Sequence, residues 1–87
     1  MRFMLGEEKY VDIRIISKEN KEFTILEAKY ELYESGILEK AGECEIEKDI
    51  VHSLIKPIKI SRNYELVVTY RIAGETFKEK VEIKVEA

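Results

Sequence analysis

Residues 64–86 read YELVVTYRIAGETFKEKVEIKVE, and their alternation decides the fold. Before Ala73-Gly74 the even positions Tyr64, Leu66, Val68, Tyr70 and Ile72 are apolar, while Glu65, Thr69 and Arg71 hold the other parity. After it the odd positions Phe77, Val81, Ile83 and Val85 are apolar, opposed to Lys78, Lys80, Glu82, Lys84 and Glu86. Successive side chains point to opposite sides only in an extended chain, so this period of two predicts half-buried strands. Gly74 tolerates the positive φ of a tight turn, which makes the stretch an antiparallel hairpin turning at Ala73–Glu75. Glu79 interrupts the apolar parity and is expected at an exposed strand end or a bulge.

The same reading extends upstream. Val11, Ile13 and Ile15 alternate with Asp12 and Arg14, and the polar run SKENKE at 17–22 closes that strand. Leu26, Ala28, Tyr30 and Leu32 share a face against Glu27, Lys29, Glu31 and Tyr33, and ESG at 34–36 ends it. Residues 37–47 read as a further strand with Cys44 and Ile46 inward and Glu43, Glu45 and Glu47 outward. The stretch DIVHSLIKPIKIS at 49–61 mixes periods. It is either one broken edge strand over 50–60 or a turn followed by a strand, with a helical turn over 49–55 as the other option. Pro57 suits a sheet edge and disfavours helix before it.

With no helix long enough to cover a sheet, about six or seven short strands predict an all-β, immunoglobulin-like antiparallel β-sandwich. A small barrel or meander is the alternative. In the sandwich, the even face of 64–72 is expected to pack against the inward residues of 11–15 and 26–32. The chain has 87 residues, room for one domain spanning 1–87. Charged residues make up 38%, above the ~25% norm, yet the net charge is only −3 with both signs interspersed. That balance lacks the basic patch of a nucleic-acid binder. A lone cysteine cannot form an intramolecular disulfide, and the start MRFMLGEEKY has no secretory pattern. No run approaches the roughly 20 apolar residues of a membrane helix. Synthesis and retention in a reducing cytoplasm are expected, at least until the chain joins something larger.

Asp49, His52 and Ser53 in DIVHS are the residue types of a hydrolytic triad, but a strand sends His52 and Ser53 to opposite faces and a helix leaves no nucleophile elbow. His52 is expected to be an ordinary histidine beside a turn. Cys44 sits between carboxylates in GECEIE, which disfavours a thiolate, and its parity makes it a small core residue. Neither residue has a partner at workable spacing. Glu43, Glu45 and Glu47 do not suit calcium, whose loops favour closely spaced Asp and Asn around a Gly. They form a solvated stripe, or else one that pairs across strands or subunits with Lys78, Lys80 and Lys84 on a C-terminal strand left at the sheet edge. Tyr10, Ile16, Tyr33 and Val67 break the polar parity of their strands, and grouped on one sheet they would suit a partner. No catalytic residue, metal ligand or cofactor is expected.

Three stretches, LGEEKYVDIRIISKENKEFTI at 5–25, AKYELYESG at 28–36 and NYELVVTYRIAGETFKEKVEIKVEA at 63–87, resemble small immunoglobulin-like proteins encoded in bacteriophages and prophages. The resemblance spans nearly the whole chain and implies a structural or accessory part of a virion head, neck or tail. It carries over no catalytic motif. Expected partners are therefore proteins or further copies of the chain, not nucleic acid or membrane. The other expectation is a small cytoplasmic module that binds peptides by strand addition.

The alternation places Val68 in a dry core. Val68→Asp should unfold the domain, because an unpaired buried charge costs several kcal/mol against a small stability margin. Loss of the sheet signal in circular dichroism checks this, and a wild-type melting curve would refute it.

Overall fold

The computed structural model describes residues 1–17, 19 and 21–87. Among them are eight strands: β1 (Arg2–Met4), β2 (Lys9–Arg14), β3 (Ile25–Glu34), β4 (Ile37–Glu43), β5 (Glu45–Glu47), β6 (Ile50–Ile55), β7 (Ser61–Ile72) and β8 (Glu75–Glu86). They form a five-stranded sheet, β1-β8-β7-β3-β4, and a three-stranded sheet, β2-β6-β5, so the chain is all-β and does not close into a barrel. No helix occurs among the described residues. The polar turn expected over 17–22 includes Lys18 and Asn20, which lie outside them.

The hairpin forms as its alternation dictates. Ile72 pairs with Glu75 around a two-residue turn, and Ala73 and Gly74 both have positive φ, 50° and 84°. Positive φ at both central positions is the type I′ signature, whose twist matches that of the flanking strands. Ser35-Gly36 repeats the device between β3 and β4, with φ of 50° and 79°. Leu66, Val68, Tyr70 and Ile83 are buried and Val81 is half-buried. Glu79 sits at an exposed stretch with no register shift.

The core lies between the two sheets. The large sheet contributes Phe3, Ala28, Tyr30, Leu32, Tyr64, Leu66, Val68, Tyr70, Ile83 and Val85, and the small one Val11, Val51 and Ile55. Ser53 is fully buried among them opposite Val11, and its hydroxyl lies 3.3 Å from the Cys44 thiol.

Several expectations are corrected, each by a contact distant in sequence. Residues 26–32 do not face 64–72 across the sandwich; β3 hydrogen-bonds to β7 within one sheet. A bulge between Ile25 and Glu27 turns Leu26 out to solvent at 62% exposure and puts Ile25 in the core instead. Residues 37–47 are two strands in different sheets. The chain crosses at Cys44, whose N–H donates to the Ala28 carbonyl, and Ile46 is exposed. The 49–61 stretch is neither an edge strand nor a helical turn but a turn followed by a strand: the turn is at Lys48–Asp49, and β6 is central in its sheet and ends at Ile55, two residues before a buried Pro57. Residues 2–4, unremarkable in sequence, pair in parallel with Lys84–Glu86 and bury Phe3 completely.

The molecule measures 42 × 20 × 20 Å. Twelve residues of extended chain span about 40 Å, so the β7–β8 hairpin accounts for the long axis. Accessible surface is 6187 Å², against about 5,300 Å² for a compact chain of this mass. The excess fits a long hairpin reaching past a shorter opposing sheet.

Gly42 faces Tyr30 across β3 and β4, and a Cβ there would lie 2.9 Å from the Tyr30 ring. That ring is buried and cannot swing away. Gly42→Ala should therefore cost about 1–3 kcal/mol as overpacking. Urea unfolding measures this, and an unchanged midpoint would show that β4 gives way.

Candidate functional site

β8 is flanked by β7 on one side and, over its last residues only, by β1 on the other. The Lys84 N–H donates to the Met1 carbonyl, the Leu5 N–H donates to the Glu86 carbonyl, and the terminal amine donates to the Glu82 carbonyl at 3.0 Å. Even-numbered residues of β8 thus direct their backbone groups to this outer edge, and odd-numbered ones bond β7. The register runs unbroken from Tyr64↔Ile83 to Ile72↔Glu75. Thr76, Lys78 and Lys80 therefore present N–H and C=O groups to an edge that no strand among the described residues covers. The expectation that the C-terminal strand lies at the sheet edge is corrected at its far end, where β1 pairs with Lys84–Glu86.

At the foot of this edge is an apolar cleft of about 550 Å³ lined by Ile15, Ile16, Phe23, Tyr70, Ile72 and Phe77. It exists because the β7–β8 hairpin extends beyond β2, leaving its inner face uncovered. Phe77 stacks on Tyr70 with ring centroids 5.5 Å apart and stays 39% exposed, and Ile16 is 79% exposed. Burial and the neighbouring Glu79 carboxylate push the Tyr70 hydroxyl pKa up. The periodicity marked Phe77 as core; only the unequal widths of the sheets reveal it as the wall of a cleft.

The charged candidates lie on separate elements of the chain. Lys78, Lys80 and Lys84 share the outer face of β8, where Lys78 is opposite Thr69 and Lys80 opposite Val67. Neither Lys78 nor Lys80 makes an ion pair with another described residue. Glu43 ends β4 opposite Lys29, three strands away from β8, while Glu45 and Glu47 belong to the other sheet. Tyr33 is half-buried on the outer face of the large sheet, donating to Glu31 Oε2 at 2.9 Å, a bond that raises its pKa. Val67, expected outside, is buried. Tyr10 and Ile16 belong to the β2 side, so the four apolar exceptions form no single patch.

His52 is better partnered than its sequence suggests. In register it has Asp12 on one side and Glu45 on the other. Its Nδ1 lies 2.6 Å from Asp12 Oδ1 and its Nε2 3.7 Å from Glu47 Oε2, with the Tyr10 ring edge-on at 6.1 Å. The bond to Asp12 raises the imidazole pKa, outweighing desolvation, and the charges of Asp12, Glu47 and Glu45 add to it. Asp49 pairs instead with Arg14 at 3.8 Å, and Ser53 points into the core, so the triad residues are dispersed. Desolvation raises the Cys44 thiol pKa, with the Ser53 contact opposing. No group of three or more His, Cys, Asp or Glu that could hold a metal exists among the described residues, and no helix is long and apolar enough to cross a membrane.

Comparison of the chain with family models, curated proteins and solved structures found no match. The geometry of the site accordingly supplies the functional reading.

The His52 cluster has a defined pH signature. A pKa raised on folding adds stability that is complete below about 6.5, the unfolded value, and is lost as pH rises through the higher folded value. His52 is the sole histidine, so its ring protons report directly in an NMR titration. Its pKa should lie above the ordinary value and fall in Asp12→Asn, and between pH 5.5 and 9 the variant should show the smaller loss of stability. Identical titration of both proteins would remove Asp12 as the cause.

Proposed function

We propose that this chain is a non-enzymatic, immunoglobulin-like interaction protein that docks a partner strand on the open edge of β8. The observation that carries this is the coincidence of the apolar cleft beside Phe77 with backbone groups on Thr76, Lys78 and Lys80 that pair with no described residue. Strand addition draws affinity from main-chain hydrogen bonds and selectivity from pockets for alternate side chains, and this edge offers both. The other edges are poorer. β4 is kinked by a register shift, β5 has three residues, and β2 ends at Arg14 where the cleft begins.

The immunoglobulin-like reading is supported by strand order and by Tyr64. The orders β8-β7-β3 and β2-β6-β5 parallel the two sheets of that architecture. The Tyr64 hydroxyl accepts from the Lys59 N–H, five residues upstream at the β6–β7 connection, at 3.1 Å. It donates to Glu39 Oε1 at 2.6 Å, and burial, with that bond, pushes its pKa up to about 12. A tyrosine at the start of this strand, tied back to nearby backbone, is the tyrosine corner of such sandwiches. The resemblance of 5–25, 28–36 and 63–87 to phage and prophage proteins makes a virion the setting we propose, with a free-standing peptide-binding module as the second reading.

A photo-reactive residue at position 78 tests the edge in the chain's native host. It should cross-link a partner, and Lys80→Pro should abolish the adduct while the protein stays folded, because position 80 donates outward. Glu79→Pro should instead destabilise the hairpin by about 1–3 kcal/mol, since it leaves a buried group of β7 unpaired. An adduct indifferent to Lys80→Pro, in a folded protein, would overturn docking at this edge.

A further inference from the structure

We infer that the strand received by β8 alternates acidic and apolar residues over about five positions; this rests on the edge reading above. The guest would lie collinear with β1, whose amino terminus already bonds Glu82. It would extend along Thr76–Lys80, where side chains of opposite parity meet opposite environments.

On the outer face the guest meets Lys78 and Lys80, cations with no ion-pair partner among the described residues. Carboxylates directly opposite them are favoured, and lysines or arginines there are disfavoured. On the inner face it meets Phe77 and Val81, with Ile15, Ile16, Phe23 and Ile72 behind Phe77 across the cleft. An apolar side chain opposite Phe77 would cover this surface, and the volume of about 550 Å³ is in the range of pockets that bury a ligand group. Glu79 lies between Phe77 and Val81 on the same parity, so an acid is disfavoured at the central inward position of the guest and its acids are confined to the outer face.

A second copy of β8 does not fit this edge. In a two-fold antiparallel pairing centred on Phe77, Glu75 meets the Glu79 of the other copy. Centred on Lys78, the two Lys78 residues meet, and centred on Glu79, Lys78 meets the other copy's Lys80. Each register sets like charges directly opposite, which destabilises a sheet pair, and edge lysines are a recognised barrier to self-pairing. The same charges that refuse a second copy attract an acidic strand.

The probes are two capped heptapeptides, one alternating valine with glutamate and one alternating valine with lysine. They are titrated into the full chain and followed by amide and methyl NMR. The acidic peptide should shift the amides of Thr76, Lys78 and Lys80 and the methyls of Ile15, Ile16 and Ile72. It should bind about tenfold tighter than the basic one, as two cross-strand pairs allow. The double variant Lys78→Glu/Lys80→Glu should reverse the preference. Equal binding of both peptides, shifts confined to β4, no shift at Thr76–Lys80, or sedimentation as a dimer through β8 would each overturn the acidic partner. If Lys80→Pro still abolished the cross-link while the peptides bound alike, strand addition would stand and only the charge pattern would fall.

Discussion

β7 is hydrogen-bonded to β3 along one edge and to β8 along the other from Tyr64 to Ile72, while Tyr64, Leu66, Val68 and Tyr70 project into the space between the sheets. Backbone polar groups can leave water only if each finds a partner, and a central strand meets that condition on both sides. Burial of its apolar face is then free to stabilise the domain, at roughly 1.5–3 kcal/mol per large side chain. The remaining elements are arranged around this strand. β3 and β8 pair with it, β1 and β4 extend its sheet, and the small sheet covers its inner face. The turn at Ala73-Gly74 matters for the same reason, because its paired positive φ values set which residues of β8 face the core.

The proposed docking edge lies where that arrangement stops being symmetrical. Five strands cannot be covered by three, and the hairpin, the longest element, runs past the end of β2. The uncovered part keeps its inward apolar residues, so Phe77 becomes the wall of a cleft. It also keeps a row of outward backbone groups, because β1 is only three residues long. An open edge beside apolar surface is ordinarily an aggregation hazard. Lysines at the outward positions are a recognised guard against indiscriminate pairing, and they are the basis of the selectivity proposed for this edge.

The small sheet raises a related problem, since its three strands are at most six residues long. Its outer face is tied by charge: Asp12, His52 and Glu45 form one row across all three strands. Such a row helps to specify register where few apolar side chains do so. His52 is thus held by the carboxylates that flank it. On the inner face the buried Ser53 hydroxyl meets the Cys44 thiol, so the crossing between sheets satisfies its own polar atoms.

The sequence by itself determined what depends on neighbours in the chain. Alternation from Tyr64 to Glu86, the turn at Ala73-Gly74 and the ending at Ser35-Gly36 are local, because strand parity repeats every two residues and positive φ needs a permissive turn residue nearby. An all-β chain with two-sided strands follows from that alone. Tertiary structure decided everything that required knowing which strand lies beside which. The residues 43–47 show one unbroken parity in sequence, yet Glu43 and Glu45 sit in different sheets because the chain crosses at Cys44. Leu26 carries a core signature and is expelled because the ladder to β7 needs one residue fewer there. Arg2–Met4 is too short to show any period, and only the vacant edge of β8 makes it a strand. The candidate site was invisible for the same reason: an edge is defined by the partner it lacks, and no stretch of sequence states where its neighbour ends.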